Sequence, residues 1–384
     1  MGDRIEHFDY TNENFLHHQE RGQVSFDKYF EGKSANFAKS FGRTCKIYLD
    51  TKFWVKLCNV ALGVSANSID SELLTVLRKA VGERRAVFPF SSPLWFETFH
   101  QSDPNTRVAT ARLIDELSLR LTSMTEEDRI ALEIGYLFDR FVLKKPWSES
   151  VENLVWSVPS CGLGIPFVGS KHWQESDAVA MQKTLLDEIW TTGFAEIAAS
   201  GEDLSAKVKA PLAQMAAEIN AFRSTHTPAD TFEEEHTREF VGALRSKKRT
   251  ISQVVELRLR LHFGALAPNA PALYEKAATK FSTTVLEAFL TGKLGNALPT
   301  LVIPTALHAA FGRDRSRKFR DNDFHDFSHA TVALAYCDCF ATEKSLGHLI
   351  DAQLGFGRRY NTKVITSSEN LIAFVNTLPV APPH

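Results

Sequence analysis

Six carboxylates at recurring positions, Asp50, Glu97, Asp323, Asp326, Asp338 and Glu343, carry the chemistry this chain could do. Within DNDFHDFSHATVALAY, Asp323, Asp326 and His329 recur at three-residue steps. A helix there sets them within about a turn of one face and leaves Ala330, Ala333 and Leu334 to pack. Acids gathered out of water repel one another and cannot all stay ionised without a cation. A hard divalent ion, Mg²⁺ or Mn²⁺ held by oxygen ligands, is the simplest partner. Several carboxylates around one or two such ions are the equipment of phosphodiester hydrolysis, in which a metal activates water and no covalent nucleophile is needed.

The elements that must position these acids are short strands. Cys45–Leu49 alternates and is β-rich, ending at Asp50-Thr51 before a helix start; alone, Asp50 reads equally as a helix N-cap. Arg85–Phe90 is a strand stopped by Pro89, then Leu94–Phe99 a short helix on which Glu97 stands among apolar neighbours. Alone, Glu97 is an exposed helical glutamate. Asp338 precedes and Glu343 follows the run Cys339-Phe340-Ala341-Thr342, and Lys363–Thr366 is a last strand before a closing helix, Ser367–Leu378. Strands near 45, 85, 338 and 363 with helices between them predict an α/β sheet, with sites at the strands' C-terminal ends.

From about Asn105 to Leu290 the periodicity is helical: 106–121, 125–143, 176–199, 204–222, 232–263 and 271–290, with a Pro/Gly/Ser-rich break at Ser157–Pro166. Thr300–Pro304 reads as a strand or a helix start. His226 and His236 flank Asp230, Glu233, Glu234 and Glu235, a charge run expected to be a solvated loop and helix start. Residues 1–44 are polar and dotted with aromatics, such as Phe8, Tyr10, Phe15, Phe30 and Phe41. Such a segment cannot build its own core and is expected to drape over the body or to stay partly disordered until a partner arrives, the first being favoured.

The 384 residues carry 44 basic and 46 acidic side chains, so any affinity for nucleic acid must come from a local patch. Arg313, Arg315, Arg317, Lys318 and Arg320 form that patch directly before the acids, an arrangement suited to a polyanion. His329 is a candidate for the same surface or for a packed histidine. The five cysteines, an odd and scattered set with no CxxC spacing, argue for reduced thiols in the cytoplasm and against a disulfide framework or a zinc site. No apolar run spans a membrane and the start of the chain has no signal-like apolar stretch, so no membrane partner is expected.

IYLDTKFW, VFPFSSPLWFETF, DFHDFSHATVALAYCDCFATEKSL and KVIT together resemble the PIN-domain and PIN-like nucleases. The resemblance covers residues 45–100 and 320–368. It implies a parallel α/β sheet with flanking helices, interrupted by a large all-helical insertion. The implied organisation is a 1–44 extension, a 45–100 first core part, a 101–300 helical insertion and a 301–384 second core part. It further implies a Mg- or Mn-dependent endoribonuclease with Asp50 in the first-strand position and Glu97 after the second strand. Asp326, with Asp323 assisting, takes the helix position, and Asp338 or Glu343 the last. RNA is then favoured over DNA, and the helical segment is the surface for a regulatory protein or a second copy. The alternatives are a catalytically inactive PIN-like scaffold and a DNA nuclease with the same acids. An aspartyl-phosphate phosphatase is disfavoured because Asp50-Thr51-Lys52 lacks the second aspartate.

Overall fold

A computed structural model of the chain describes residues 13–164, 174–200, 205–264, 270–314 and 316–380. Its strands are β1 (Cys45–Leu49), β2 (Ala86–Val87), β3 (Thr122–Ser123), β4 (Trp156–Ser157), β5 (Cys339–Ala341) and β6 (Lys363–Ile365). Four of them make a parallel sheet in the order β2-β1-β5-β6, and β3 pairs with β4 antiparallel. The fold is mixed α/β and mostly helical. At the sheet's centre, Ile47, Tyr48 and Leu49 pair with Cys339, Phe340 and Ala341, strands almost three hundred residues apart in sequence.

Alternation along the strands divides the interior into two layers. Ile47, Leu49, Cys339 and Ala341 face one cluster, completed by apolar residues of helices Thr51–Ala61, Ser68–Gly82, Pro104–Ser118 and Ser368–Thr377. Tyr48, Val87 and Phe340 face the other, built on helices Phe26–Lys39, Pro299–Arg313 and Asp321–Tyr336. Both faces are covered, so every side chain from Ile47 to Leu49 is buried, as in other parallel sheets.

The expected Arg85–Phe90 strand contracts to Ala86–Val87. Beyond it Phe88 N and Phe90 N bond to Leu117 O and Leu121 O, outside the sheet, and Pro89 has no N–H to offer. The 232–263 helix breaks at Lys247 into Phe232–Ser246 and Lys248–Phe263, and Thr300–Pro304 belongs to the helix Pro299–Arg313. These helices, Glu126–Leu137 and Pro271–Leu290 enclose a separate apolar cluster around Phe240, Val255, Phe281 and Val302. In the described part of the Ser157–Pro166 break, β4 ends at Ser157 and Pro159–Cys161 forms a 3₁₀ turn.

Helices Glu13–Glu20 and Phe26–Lys39 pack on helix Glu175–Trp190, with Phe15 and Phe30 buried. Phe8 and Tyr10, Ile165 and Pro166, and Arg315 of the basic patch lie outside the described residues. Among the described residues no helix is long and apolar enough to cross a membrane.

Candidate functional site

Asp50 stands at the C-terminal end of β1, and its extended backbone opens helix Thr51–Ala61. One carboxylate oxygen accepts from Phe53 N at 3.3 Å, the other from Glu343 N at 3.0 Å. Asp50 is therefore an N-cap and, at the same time, the tie that places Glu343 beside the end of β1. Burial pushes its carboxyl above the ordinary range, against the lowering effect of the Thr342 hydroxyl, His329 and the two backbone donors.

Asp326 reaches the same level by chain geometry. Helix Asp321–Tyr336 feeds β5 and runs back against the strand direction. The ten residues from Asp326 to Tyr336 span about 15 Å of helix. The five from Asp338 to Glu343 span about 16 Å of strand. Asp326 is thus abreast of Glu343 and Asp338 is at the opposite end of the sheet. Burial pushes the Asp326 carboxyl up to about 7; His329 opposes this, while Glu343, Asp323 and Asp50 reinforce it. No hydrogen-bond donor or ion-pair partner reaches Asp326 among the described residues.

Glu97 is held from helix Ser92–Phe99. It accepts from Thr51 Oγ1 and, at 3.1 Å, from His329 Nε2. The other ring nitrogen, Nδ1, lies 2.7 Å from Tyr48 Oη, which is 2.5 Å from Ser91 Oγ. With His329 charged, both ring N–H groups donate and the Tyr48 hydroxyl is left to donate to Ser91. Burial pushes the imidazole down, but Glu97, Asp50 and Asp326 outweigh it and hold it above the usual histidine range. In Glu97 the order is mirrored: burial raises the carboxyl, and the hydrogen bonds and charge of His329 and Thr51 carry it below its ordinary value.

Of the readings open for His329, the packed histidine holds: it is 1% exposed and hydrogen-bonded to Glu97 and Tyr48, so it does not meet a phosphate. Two expectations need correction. Asp323 is buried too, and both its oxygens are engaged: Arg320 N donates at 2.6 Å and Arg317 Nη2 at 2.8 Å. It caps its helix and is not an open ligand. Asp338 is exposed and accepts from Lys46 N at 2.8 Å, stitching the N-terminal ends of β1 and β5. Its strand neighbours made it look like Glu343's companion, but a strand carries its two ends apart.

The basic patch is also partly internal. Arg317 is committed to Asp323 and lies 4.0 Å from the Phe311 ring centroid, while Arg313 bonds to Ala229 O and Asp230 O. Lys318 and Arg320 are exposed, with no side-chain partner among the described residues.

Asp50, Glu97, Asp326 and Glu343 thus share one region, with His329 among them. In kind the donors suit Mg²⁺ or Mn²⁺: all are hard oxygens, and one carboxylate has neighbouring charges of its own sign and no donor. Among the described residues, however, no three His, Cys, Asp or Glu side chains converge into a metal-binding group. Sequence reasoning missed Tyr48, Thr51 and Ser91, which hold His329 and Glu97. The signal for Tyr48 was its alternation against Ile47 and Leu49, but the helix it faces lies 280 residues away. Comparison with protein-family models, curated proteins and solved structures returns no match.

Proposed function

We propose that this chain is a metal-dependent phosphodiester hydrolase of the PIN-like kind, cutting RNA at the C-terminal edge of the parallel sheet. The observation that carries the reading is Asp326: a half-buried carboxylate, without a donor, pushed up to about 7 beside Asp50 and Glu343. A group so placed is poised for a cation or a proton. Asp50, Asp326 and Glu343 would hold the ion. When bound, Mg²⁺ or Mn²⁺ supplies Lewis-acid stabilisation of a phosphodiester and hydroxide at neutral pH. Glu97, ionised and fixed by His329 and Thr51, is a proton acceptor of constant orientation. The buried Tyr48–His329 string keeps Glu97 from turning away, and the His329 charge offsets part of the acidic group's repulsion. Lys318 and Arg320 are the cations left to meet a phosphate backbone. RNA, in preference to DNA, is what the family resemblance implies.

The test is cleavage of labelled single-stranded RNA and matched DNA, with Mn²⁺ or with EDTA, by the wild type and the Asp50→Asn and Asp326→Asn variants. Metal-dependent cutting of RNA, lost in both variants, is expected, together with a rise in Tm on adding Mn²⁺ to the wild type. A second reading, the non-catalytic scaffold, is favoured by the lack, among the described residues, of a converged three-residue metal group. No cutting and no rise in Tm would establish that reading in place of ours.

A further inference from the structure

The acidic run singled out in the sequence is not all solvated. Thr231 caps helix Phe232–Ser246 through a capping box with Glu234, but Glu235 and His236 are buried against the rest of the molecule. Beside them opens a cavity of about 320 Å³ between helices Ser205–Thr225, Phe232–Ser246 and Pro299–Arg313. That volume is at the lower end of what small-molecule sites use.

Flat rings line much of it. Phe222 and His226 stack with centroids 4.6 Å apart and planes 19° apart, and His308 and Phe319 stack at 5.5 Å and 17°. Burial pushes His308 down to about 4, so that ring is a neutral plane at physiological pH. Two carboxylates share the wall. Glu235 is spoken for: it accepts from Ala229 N at 2.7 Å and pairs with Arg238 at 3.1 Å. Glu239, half-buried, receives no hydrogen bond and forms no ion pair among the described residues. Burial and then the Glu235 charge push its carboxyl above its usual value, with Arg238 opposing.

The geometry points to a guanine-binding pocket, in which a base lies against the rings and presents its N1–H and N2–H₂ donors to the two oxygens of Glu239. A carboxylate accepts from two adjacent donors side by side, and guanine alone among the four RNA bases offers that pair on its pairing edge. The flat walls suit a planar ligand through stacking. A cationic amine, the other partner of an acid among aromatics, meets the guanidinium group of Arg223 at the same wall. Phe311 and Phe319, both in its wall, also pack on Phe327 of the helix that carries Asp326. As the base-reading subsite of an RNA-cutting enzyme, the inference rests on the proposed function; as a binding site it is measured separately.

The experiment is calorimetric titration of the full chain, without metal, with guanosine, adenosine, cytidine and uridine 5′-monophosphates. The wild type, Glu239→Gln and Asp326→Asn are compared. Binding of the guanosine nucleotide about tenfold tighter than of the others is expected. Glu239→Gln should remove that preference, because an amide presents a donor where a second acceptor is needed, while circular dichroism stays unchanged. Asp326→Asn should bind as the wild type does. No binding of the guanosine nucleotide, or a preference that Glu239→Gln leaves intact, would overturn the inference even if the protein cuts RNA. A Glu239-dependent preference in a protein that cuts nothing would uphold the pocket and remove only the nuclease reading.

Discussion

At the scale of single residues, the same side-chain type does opposite work at two ends of one strand. Asp338 has its hydrogen bond to Lys46 N and open solvent around it; Asp326 has no donor among the described residues and is not fully solvated. An aspartate whose folded value is raised contributes its full stability below the unfolded value of about 3.9, and loses it as pH rises through the folded value. For Asp326 that window runs from about 4 to about 7. Metal-free Asp326→Asn protein should therefore match the wild type near pH 4 and become the more stable of the two above pH 7. The expected margin is on the order of 1–3 kcal/mol, once solvent screening is discounted. Urea unfolding at a series of pH values reads the difference; a margin that stays constant with pH would show that Asp326 is ordinary.

At the scale of elements, the acid site depends on how closely the segment after β5 lies on the strand ends. Helix Lys344–Gly347 follows Glu343 directly and brings Gly347 against β6 and its flank. A Cβ there would stand 2.5 Å from Thr366 Cγ2, 3.4 Å from Val364 Cγ1 and 3.6 Å from Thr342 Cγ2. No real contact is that short, so in Gly347→Ala either the Thr366 side chain or the turn that follows Glu343 must shift. A loss of about 1–3 kcal/mol is expected, by the cost of overpacking. Under the proposed function, the Tm gain from Mn²⁺ should fall as well. A variant with wild-type stability and wild-type Mn²⁺ response would mean that this turn gives way freely.

At the scale of the whole molecule, Asp187 gathers the N-terminal helices onto the body. It accepts from His18 at 2.8 Å, Tyr29 at 2.6 Å and Lys33 at 2.5 Å, and those three donors hold its carboxyl below the usual range against the effect of burial. Apolar contacts of Phe30 and Phe37 with Trp190 complete the joint. Asp187→Ala leaves three donors facing one another and should cost about 1–3 kcal/mol. Limited proteolysis should then cut first within residues 13–44. Unchanged cutting would mean that the aromatic contacts hold the helices without the carboxylate.

What the sequence determined by itself was local. The β-rich runs at 45–49, 339–341 and 363–365 are strands because alternation and β-branched or aromatic content leave little choice. The helix through Asp326 follows from its three-residue spacing. Asp50 and Glu97 could be picked out because each ends or follows an apolar run. Tertiary structure alone decided which of six acids meet. Asp338 and Glu343 are neighbours in sequence, but a strand separates its ends by its length; Asp323 and Asp326 share a helix, but Arg317 and Arg320 N satisfy the first and leave the second bare. His329 became a buried cation because Tyr48 and Glu97 arrive from parts of the chain more than two hundred residues away. Spacing along a chain orders side chains on one element; the pairing of distant elements decides which charges face each other, and how much water lies between them.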